Sequence, residues 1–349
     1  MIELPTENDP RLQATYRSDR VWSGVTTSGD GRVFVSFPNA DRPGIQVAEL
    51  GPDGQHVPYP DAAWNSVRED HHPDGAFVQV NGLRIGPDGR LWIIDAGAPG
   101  IGRAAIPGGA RLIVVNLTTD SVADIYDLGP AVRPRSYLDD LRFNGDQVYL
   151  TDAGEPGLVV LDLGSGELRR VLEDHPSTTD QRPLYADHRK ARGPEGDEVL
   201  VHADQLEVSP DGGQLYYQPA SGPMSRIGTR WLDDPSVTPG DLADQVEPWL
   251  DTPTTGGTAI DANGVIYLSD TNQRRVLAIS PDREVETVVA DPRLVWADAM
   301  WLDSAGDLWI PVPQLNRTAG FNGGVQAVEY PVWIYKMHVG AAPAPNDHL

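Results

Sequence analysis

The sequence predicts an all-β protein, a six-bladed β-propeller in which four-stranded antiparallel blades surround a central channel. Two observations lead to this prediction. Six tight turns, each containing glycine, run directly into short strands rich in β-branched and aromatic residues. Further strands of alternating apolar residues precede and follow these turns, so that a meander of about four strands recurs at a spacing of roughly 40 to 65 residues. A closed ring of such meanders leaves no long exposed sheet edge.

The six turns follow one template, which places each blade along the chain. They are Gly29–Gly31, Pro87–Gly89, Asn144–Gly145, Pro210–Gly212, Ala262–Gly264 and Ser304–Gly306. We therefore expect a single domain over residues 1–349, with blades that start near residues 22, 80, 138, 203, 255 and 297. An N-terminal strand near Leu12–Tyr16 is expected to close the ring beside Val332–Lys336. Two stacked β-sandwich domains are the alternative architecture.

Composition narrows the choice of partners. The chain carries 51 acidic against 27 basic residues, a formal charge of −24, and no run rich in lysine or arginine, so nucleic acid and anionic membranes are poor partners. It has no cysteine, which excludes disulfides, thiolate nucleophiles and cysteine-based zinc sites. No basic segment followed by an apolar stretch opens the sequence. We expect a cytoplasmic monomer that acts on a small molecule.

The long connections should all reach the same face of the propeller. If the inner strand of each blade starts on that face, the glycine turns lie on the opposite face, and the connections near residues 60–78, 96–110, 176–203 and 313–328 return to the first. Long loops gathered on one rim of a rigid scaffold are the usual setting of a binding site.

Polar residues open the inner strands. Counting back eight residues from the turn glycine gives Ser23, Asn81, Asp204, Gly256 and Asp298, with Asp139 at the equivalent position of the third blade, whose turn is shorter. Residues that open inner strands should meet around the channel mouth. Carboxylate and amide oxygens are the ligands that Ca²⁺ prefers, so Asn81, Asp139, Asp204 and Asp298 are the predicted metal ligands. The alternative is that they only bond backbone amides of neighbouring blades.

Other polar features suggest structural roles. Asp95, Asp152 and Asp270 recur at the ends of second strands, and this repetition indicates turn capping. The pair His71–His72 lies in an acidic loop and is expected to be exposed. No nucleophile elbow of the form Gly-x-Ser-x-Gly is present, which disfavours serine catalysis.

Several segments, in order, resemble the yellow/major royal jelly protein family, and the resemblance covers roughly residues 20–335. They are Arg90–Gly97, Ser136–Phe143, Tyr149–Gly154, Gly157–Leu163, Leu206–Gly212, Leu215–Tyr217 and Trp296–Met300. That family is similar to six-bladed, calcium-dependent propellers such as the SMP-30/gluconolactonase-like lactonases.

The resemblance implies two kinds of activity. In the lactonases a glutamate, two asparagine-type positions and an aspartate at inner-strand starts hold one divalent metal. Asn81, Asp139 and Asp204 match three of these positions, whereas Ser23 replaces the glutamate and Asp298 offers the missing charge. Members of the yellow family include tautomerase-like enzymes that convert dopachrome and non-catalytic binders of small amines.

Two functional hypotheses follow. In the first, the protein is an enzyme acting on a small cyclic or carbonyl-containing substrate, by lactone hydrolysis or tautomerisation. Asp204 or Asp140 then moves the proton as the catalytic residue. Ser23, Tyr137, His202, Gln205 and Trp296 are the expected substrate-binding residues. In the second hypothesis the same acidic, aromatic-rimmed mouth binds an amine without turnover. A protein-interaction platform is a third possibility that only the fold supports.

Overall fold

The six predicted turns form as expected, each with its glycine in the left-handed region. In the computed structural model, which describes residues 3–66 and 73–346, the φ angles of Gly31, Gly89, Gly145, Gly212, Gly264 and Gly306 lie between 60° and 88°. Side chains other than glycine rarely adopt this conformation. These glycines therefore fix the hairpins between the first and second strands of the blades. The pair His71–His72 lies outside the described residues.

Six four-stranded antiparallel sheets follow from these hairpins, which confirms the predicted fold. In the first three sheets the strands are β2–β5 (Val25–Thr27, Val33–Ser36, Val47–Leu50, His56–Pro58), β6–β9 (Val80–Ile85, Leu91–Ala96, Ala110–Asn116, Ser121–Asp127) and β10–β13 (Leu138–Asn144, Gln147–Asp152, Gly157–Asp162, Leu168–Val171). The short hairpin β14–β15 (Tyr185–Ala186, Arg189–Lys190) interrupts the order. The next two sheets are β16–β19 (Ala203–Val208, Gln214–Pro219, Met224–Gly228, Glu247–Leu250) and β20–β23 (Thr258–Ile260, Ile266–Asp270, Arg275–Ile279, Val285–Ala290).

The sixth sheet closes the ring with the chain's own N-terminal strand. It consists of β24 (Trp301–Leu302), β25 (Asp307–Val312), β26 (Val332–His338) and, beside β26, β1 (Gln13–Ser18). The pairing runs from Gln13 opposite Lys336 to Ser18 opposite Val332. The expected closing strand is thus confirmed, and it removes the free edge that the last blade would otherwise expose.

Apolar side chains fill the wedges between neighbouring blades. One buried cluster joins residues of the sixth, first and second blades, including Trp22, Phe34, Ile93 and Trp301. Another joins the second and third blades around Phe143. Strands with both faces buried need apolar residues at consecutive positions, as in β7, where all six residues are buried. The blades therefore form a rigid frame for residues that face the channel.

Helix is scarce. Two five-residue helices, α1 (Thr229–Asp233) and α2 (Pro239–Ala243), lie between the third and fourth strands of the fourth blade, and short 3₁₀ segments occupy Gly129–Ala131 and Leu315–Arg317. Within residues 3–66 and 73–346, no helix has the length and apolarity needed to cross a membrane.

The recurring aspartates at second-strand ends are structural, as predicted. Asp152 accepts hydrogen bonds from the backbone N–H groups of Tyr137 (2.9 Å) and Gly154 (3.1 Å) and pairs with Arg170 (2.8 Å). Asp95 and Asp270 make the same kind of contact, with backbone amides and one arginine each. These carboxylates fasten the loops at the face where the inner strands begin.

Candidate functional site

The polar residues that open the inner strands meet at one end of the channel, as expected. They line a single cavity of about 750 Å³, which contains Ser23, Asn81, Asp139, Asp204, Gly256 and Asp298. Parts of three long connections complete the wall, in particular residues 99–103, 193–202 and 315–321. The described part of the connection at 60–78 does not line this cavity, and residues 38–40 contribute instead. Convergence at the channel mouth is therefore confirmed, whereas the roles of the residues stay predictions.

Irregular pairing at the inner strands turns these side chains towards the cavity. The ladder of β6 with β7 shifts register between Val80 and Leu83, and that of β10 with β11 shifts between Leu138 and Leu141. The fourth blade shifts likewise just after Ala203. A bulge re-aims the side chains next to it. Asn81, Asp139 and Asp204 each lie within one of these shifts.

Two carboxyl groups in the cavity wall interact directly. They belong to Asp139 and Asp204, and each shifts the pKa of the other. The amide nitrogen of Asn81 donates to Asp139, and that of Gln205 donates to Asp204. The hydroxyl of Tyr137 donates to the Asn81 amide oxygen at 3.3 Å. A chain of polar contacts thus runs from Tyr137 to Gln205 across three blades.

Burial holds protons on these carboxyl groups. Loss of solvent and, to a smaller extent, the nearby charge of Asp298 together raise the pKa of Asp204 from 3.8 to about 7. Burial, followed by the charge of Asp204, raises the pKa of Asp139 well above its usual range. The pKa of Asp298 is raised in the same way, first by burial and then by Asp139. Near neutral pH the site therefore carries both protonated and ionised carboxyl groups.

Asp298 retains an oxygen without a partner. Its Oδ1 accepts the backbone N–H of Ala299 at 2.9 Å, whereas its Oδ2 is buried and has no hydrogen bond within the described chain. The indole nitrogen of the neighbouring Trp296 is also buried and unpartnered there. Trp296 has a φ of 56° and packs edge-on against Phe321 at a centroid distance of 5.3 Å. Buried polar atoms of this kind are usually completed by water or a ligand.

A divalent cation suits the chemistry of this donor set, which consists of oxygens and carries up to three negative charges. Its geometry is not that of a finished metal site. In the described residues, no three histidine, aspartate or glutamate side chains converge closely enough to hold an ion. The Asn81 side chain donates to Asp139, and the raised pKa of Asp139 favours its protonated form. A cation would have to displace that proton, so proton and metal compete for the Asp139 carboxyl group.

His202 faces the cavity in a defined tautomer. The backbone N–H of Asp180 donates to Nδ1 of His202 at 3.1 Å, so Nδ1 is the unprotonated nitrogen of the neutral ring. Burial lowers the pKa of His202, which favours that neutral form. The Asp180 carboxylate is held by Ser221 at 2.6 Å and by the backbone N–H of Val201 at 2.9 Å. His202 therefore presents an Nε2–H donor, which has no partner among the described residues.

Asp140 takes a different direction from its neighbour Asp139. Its carboxylate contacts Arg142 at 2.7 Å and the backbone N–H of Leu141 at 2.8 Å, and it does not belong to the cavity wall. Arg142 also makes a bidentate pair with the buried Glu207, at 2.9 and 2.8 Å. Successive residues of a strand point to opposite sides, and the pairing with Arg142 follows from this. The structure assigns Asp140 to this ion cluster, so Asp139 replaces it as the second carboxyl group of the site.

The expected substrate-binding residues divide into two groups. Tyr137, His202 and Trp296 line the cavity, with Tyr137 and Trp296 almost fully buried. Ser23 also lines it, although its hydroxyl lies 3.3 Å from that of Ser36 and 3.4 Å from the Asn81 carbonyl. Gln205 is behind the wall and reaches the site only through Asp204.

Sequence reasoning missed the residues that form the outer rim. Ile101 and Leu200 are apolar and exposed, and Arg103 and Arg135 add positive charge above the acidic base. These residues lie in irregular loops without a periodic pattern, so only their membership of long connections pointed to them. Sequence reasoning also missed the pair Arg142–Glu207. These residues follow Asp139 and Asp204 by three positions on the equivalent strands β10 and β16, and this shared spacing could have indicated that they meet.

Comparison with solved structures finds proteins with the same fold. A gluconolactonase from Xanthomonas campestris superposes with a TM-score of 0.56 at 15% identity, covering 96% of this chain and 97% of that one. Virginiamycin B lyase from Staphylococcus aureus gives 0.53 at 13% identity, with 94% and 99% covered. A luciferin-regenerating enzyme gives 0.54 at 11% identity, with 98% and 99% covered. At such identities the likeness concerns the fold alone.

No curated protein matches the sequence significantly. The family model described as major royal jelly protein matches residues 78–342, which contain the second to fifth blades and all of the sixth except β1, and include Asn81, Asp139, Asp204 and Asp298. With the fold and the position of the polar site established, this match identifies the chain as a member of the major royal jelly protein family.

Proposed function

We propose that this protein is an enzyme that moves a proton on a small cyclic or carbonyl-containing substrate bound at the channel mouth. The observation that carries the proposal is the pair of Asp139, which is buried, and Asp204, which is half-buried: both line a cavity of about 750 Å³, and the pKa of each is raised. No arginine or lysine of residues 3–66 and 73–346 forms a salt bridge with either carboxyl group. A structural carboxylate of this chain, such as Asp95, is by contrast paired with an arginine.

A carboxyl pair with one proton can act as base and acid in turn. The ionised member removes a proton from the carbon next to a carbonyl, and the protonated member returns one to the enolate, which completes a tautomerisation. The same ionised member can instead take a proton from a water that attacks a lactone carbonyl. In that case the ring C–O bond breaks and the leaving oxygen receives the proton. His202 supplies an N–H donor suited to the carbonyl oxygen in both reactions.

We further propose that a divalent cation, with Ca²⁺ as the first choice, assists this site. Asn81, Asp139, Asp204 and Asp298 are the residues that would hold it, and the buried Oδ2 of Asp298, which has no hydrogen-bond partner within the described chain, favours this proposal most. When bound, such a cation polarises a carbonyl or acidifies a water. The names of the gluconolactonase and of the luciferin-regenerating enzyme agree with chemistry on small molecules in this fold.

The test is a screen for turnover with matched variants. Purified protein is incubated with a panel of γ- and δ-lactones, followed by proton release, and with enolisable cyclic ketones in D₂O, followed by deuterium uptake. Asp204→Asn should lower the rate at least about a hundredfold, because it removes one member of the acid–base pair. The control is Asp282→Asn, which changes an exposed aspartate in the turn between β22 and β23, outside the cavity wall. Equal rates in wild type and Asp204→Asn would refute the assignment.

A second candidate, the binding of an amine without turnover, has one specific observation in its favour. The buried carboxyl groups lie in the same cavity as Trp296 and Phe321, whose rings meet at 5.3 Å. An ammonium group is attracted by both a carboxylate and an aromatic face. Calorimetry with phenethylamine separates the two functions. Binding that Asp204→Asn weakens, in a protein that turns over no member of the panel, would favour the binder.

A further inference from the structure

A second cavity lies at the place where the ring closes, away from the channel. It measures about 630 Å³ and is lined by Arg17, Ser18, Asp19, Arg20, Arg42, Gly54, His56 and Pro331. These residues come from the end of β1, from loops and the outer strand of the first blade, and from the residue before β26. The lining contains three arginines and one aspartate, in a chain whose net charge is −24, and the buried carboxylate of Asp41 lies beside Arg42.

Arg20 is the residue of this cavity whose side chain is held most firmly by its surroundings. Its half-buried guanidinium donates only to neutral oxygens, namely the Ile45 carbonyl at 3.0 Å, the Asn39 side chain at 2.8 Å and the Arg42 carbonyl at 3.1 Å. Its Nε is buried without a partner in the described chain. Burial lowers the pKa of Arg20, and the nearby Asp41 carboxylate, which makes no hydrogen bond to Arg20, offsets only part of this effect.

The backbone makes room for this guanidinium. Gly44 has a φ of 154°, and a Cβ at that position would lie 2.6 Å from Nη1 of Arg20. The ring of Phe37 covers another side of Arg20 at 5.1 Å. A loosely held surface arginine needs neither of these features. Their combination indicates that the charge is held at a fixed position.

The other two arginines of the cavity, Arg17 and Arg42, are exposed and have few partners, so that their guanidinium groups can contact a ligand. Arg17 is exposed, and within the described residues its side chain makes no hydrogen bond or ion pair. Arg42 is half exposed and has one distant carboxylate contact, with Asp41 at 3.7 Å, besides donating to the Asp19 carbonyl. Planar guanidinium groups match the oxygens of phosphate and carboxylate groups.

We infer that this cavity binds a small oxyanion, a phosphate or carboxylate group, between Arg17, Arg20 and Arg42. Because Arg17 belongs to the closing strand β1, whereas Arg20 lies in the connection to β2 and Arg42 in the loop between β3 and β4, the anion ties that strand to the first blade. Binding at this place therefore stabilises the closed ring. The inference is independent of the chemistry proposed for the channel.

The experiment measures the melting temperature of the full chain with inorganic phosphate as the probe. At constant ionic strength, about 20 mM phosphate in place of chloride should raise the melting temperature by about 2–4 °C if binding is in the millimolar range. Acetate in a parallel series distinguishes a carboxylate site from a phosphate site. Arg20→Gln should abolish the shift, and Arg17→Gln, at an exposed position with little risk to folding, should at least halve it.

Arg283→Gln is the matched control, since it removes the same charge from an exposed turn of the fifth blade. It should keep the whole shift, as should Asp204→Asn. The inference is overturned if neither phosphate nor acetate shifts the wild type, or if the shift survives unchanged in both Arg20→Gln and Arg17→Gln. Loss of the shift in Arg283→Gln would equally contradict it, because the effect would then follow net charge.

Discussion

Replacing Asp204 by asparagine should stabilise the protein at high pH and have little effect at low pH. The pKa of Asp204 is raised from 3.8 to about 7, chiefly by burial. Each pH unit of difference between the folded and unfolded pKa corresponds to about 1.4 kcal/mol. A difference of about three units therefore gives about 4 kcal/mol. Asp204 is only half-buried and lines the cavity, so solvent weakens the effect and about 4 kcal/mol is an upper limit for its contribution to the free energy of unfolding.

The sign follows from the protonation states. Below pH 3.8 the carboxyl group is protonated in both folded and unfolded chains, so its ionisation does not affect stability. Between pH 3.8 and about 7 the unfolded chain ionises first, and stability falls as the pH rises. In Asp204→Asn this loss is absent. The asparagine can accept from Gln205 and donate to Asp139, so the hydrogen bonds of the site are kept.

Urea unfolding of both proteins between pH 5 and 8, in the presence of a chelator, measures the difference. The variant should be the more stable protein at pH 8 by up to about 4 kcal/mol, and the gap should shrink steadily towards pH 5. Asp282→Asn, which changes an exposed aspartate, should run parallel to the wild type. Parallel curves for Asp204→Asn and wild type would refute the reasoning, because they would mean that Asp204 titrates as an ordinary carboxyl group.

Four further outcomes are expected. Binding of Ca²⁺ should release about one proton and strengthen from pH 6 to pH 8, as calorimetry in buffers of different ionisation enthalpy would detect. Arg142→Met should destabilise the fold by about 3–5 kcal/mol in urea titrations, because it leaves Glu207 buried without its charge partner, and the further change Glu207→Gln should recover part of the loss. His202→Phe should weaken binding of a carbonyl ligand about tenfold, whereas His202→Gln, which keeps an N–H donor, should lose less. Deleting residues 1–20 removes β1 and should broaden thermal unfolding and lower its midpoint, as calorimetry would measure.

The predictable part of the fold rests on local chemistry. A glycine in the left-handed region, followed by β-branched and aromatic residues, specifies a hairpin wherever it occurs, and six such hairpins in series predict six blades. The site could be located for the same reason. Once the glycine fixes the end of an inner strand, its first residue follows by counting, and this placed Asn81, Asp139, Asp204 and Asp298 in one cavity.

The structure alone decided how neighbouring side chains divide their roles. Asp139 and Asp140 are adjacent residues of the same type, so the sequence does not distinguish them. A register shift turns Asp139 into the cavity, whereas Asp140 pairs with Arg142 in an ion cluster. The neutral tautomer of His202 depends on a backbone amide 22 residues away.

The oxyanion cavity, likewise, joins both ends of the chain and had no local signal. Turns and strand periods are properties of a few consecutive residues, and the sequence determines them. Partners, burial and the resulting pKa values depend on which distant segments pack together, and only the tertiary structure decides them.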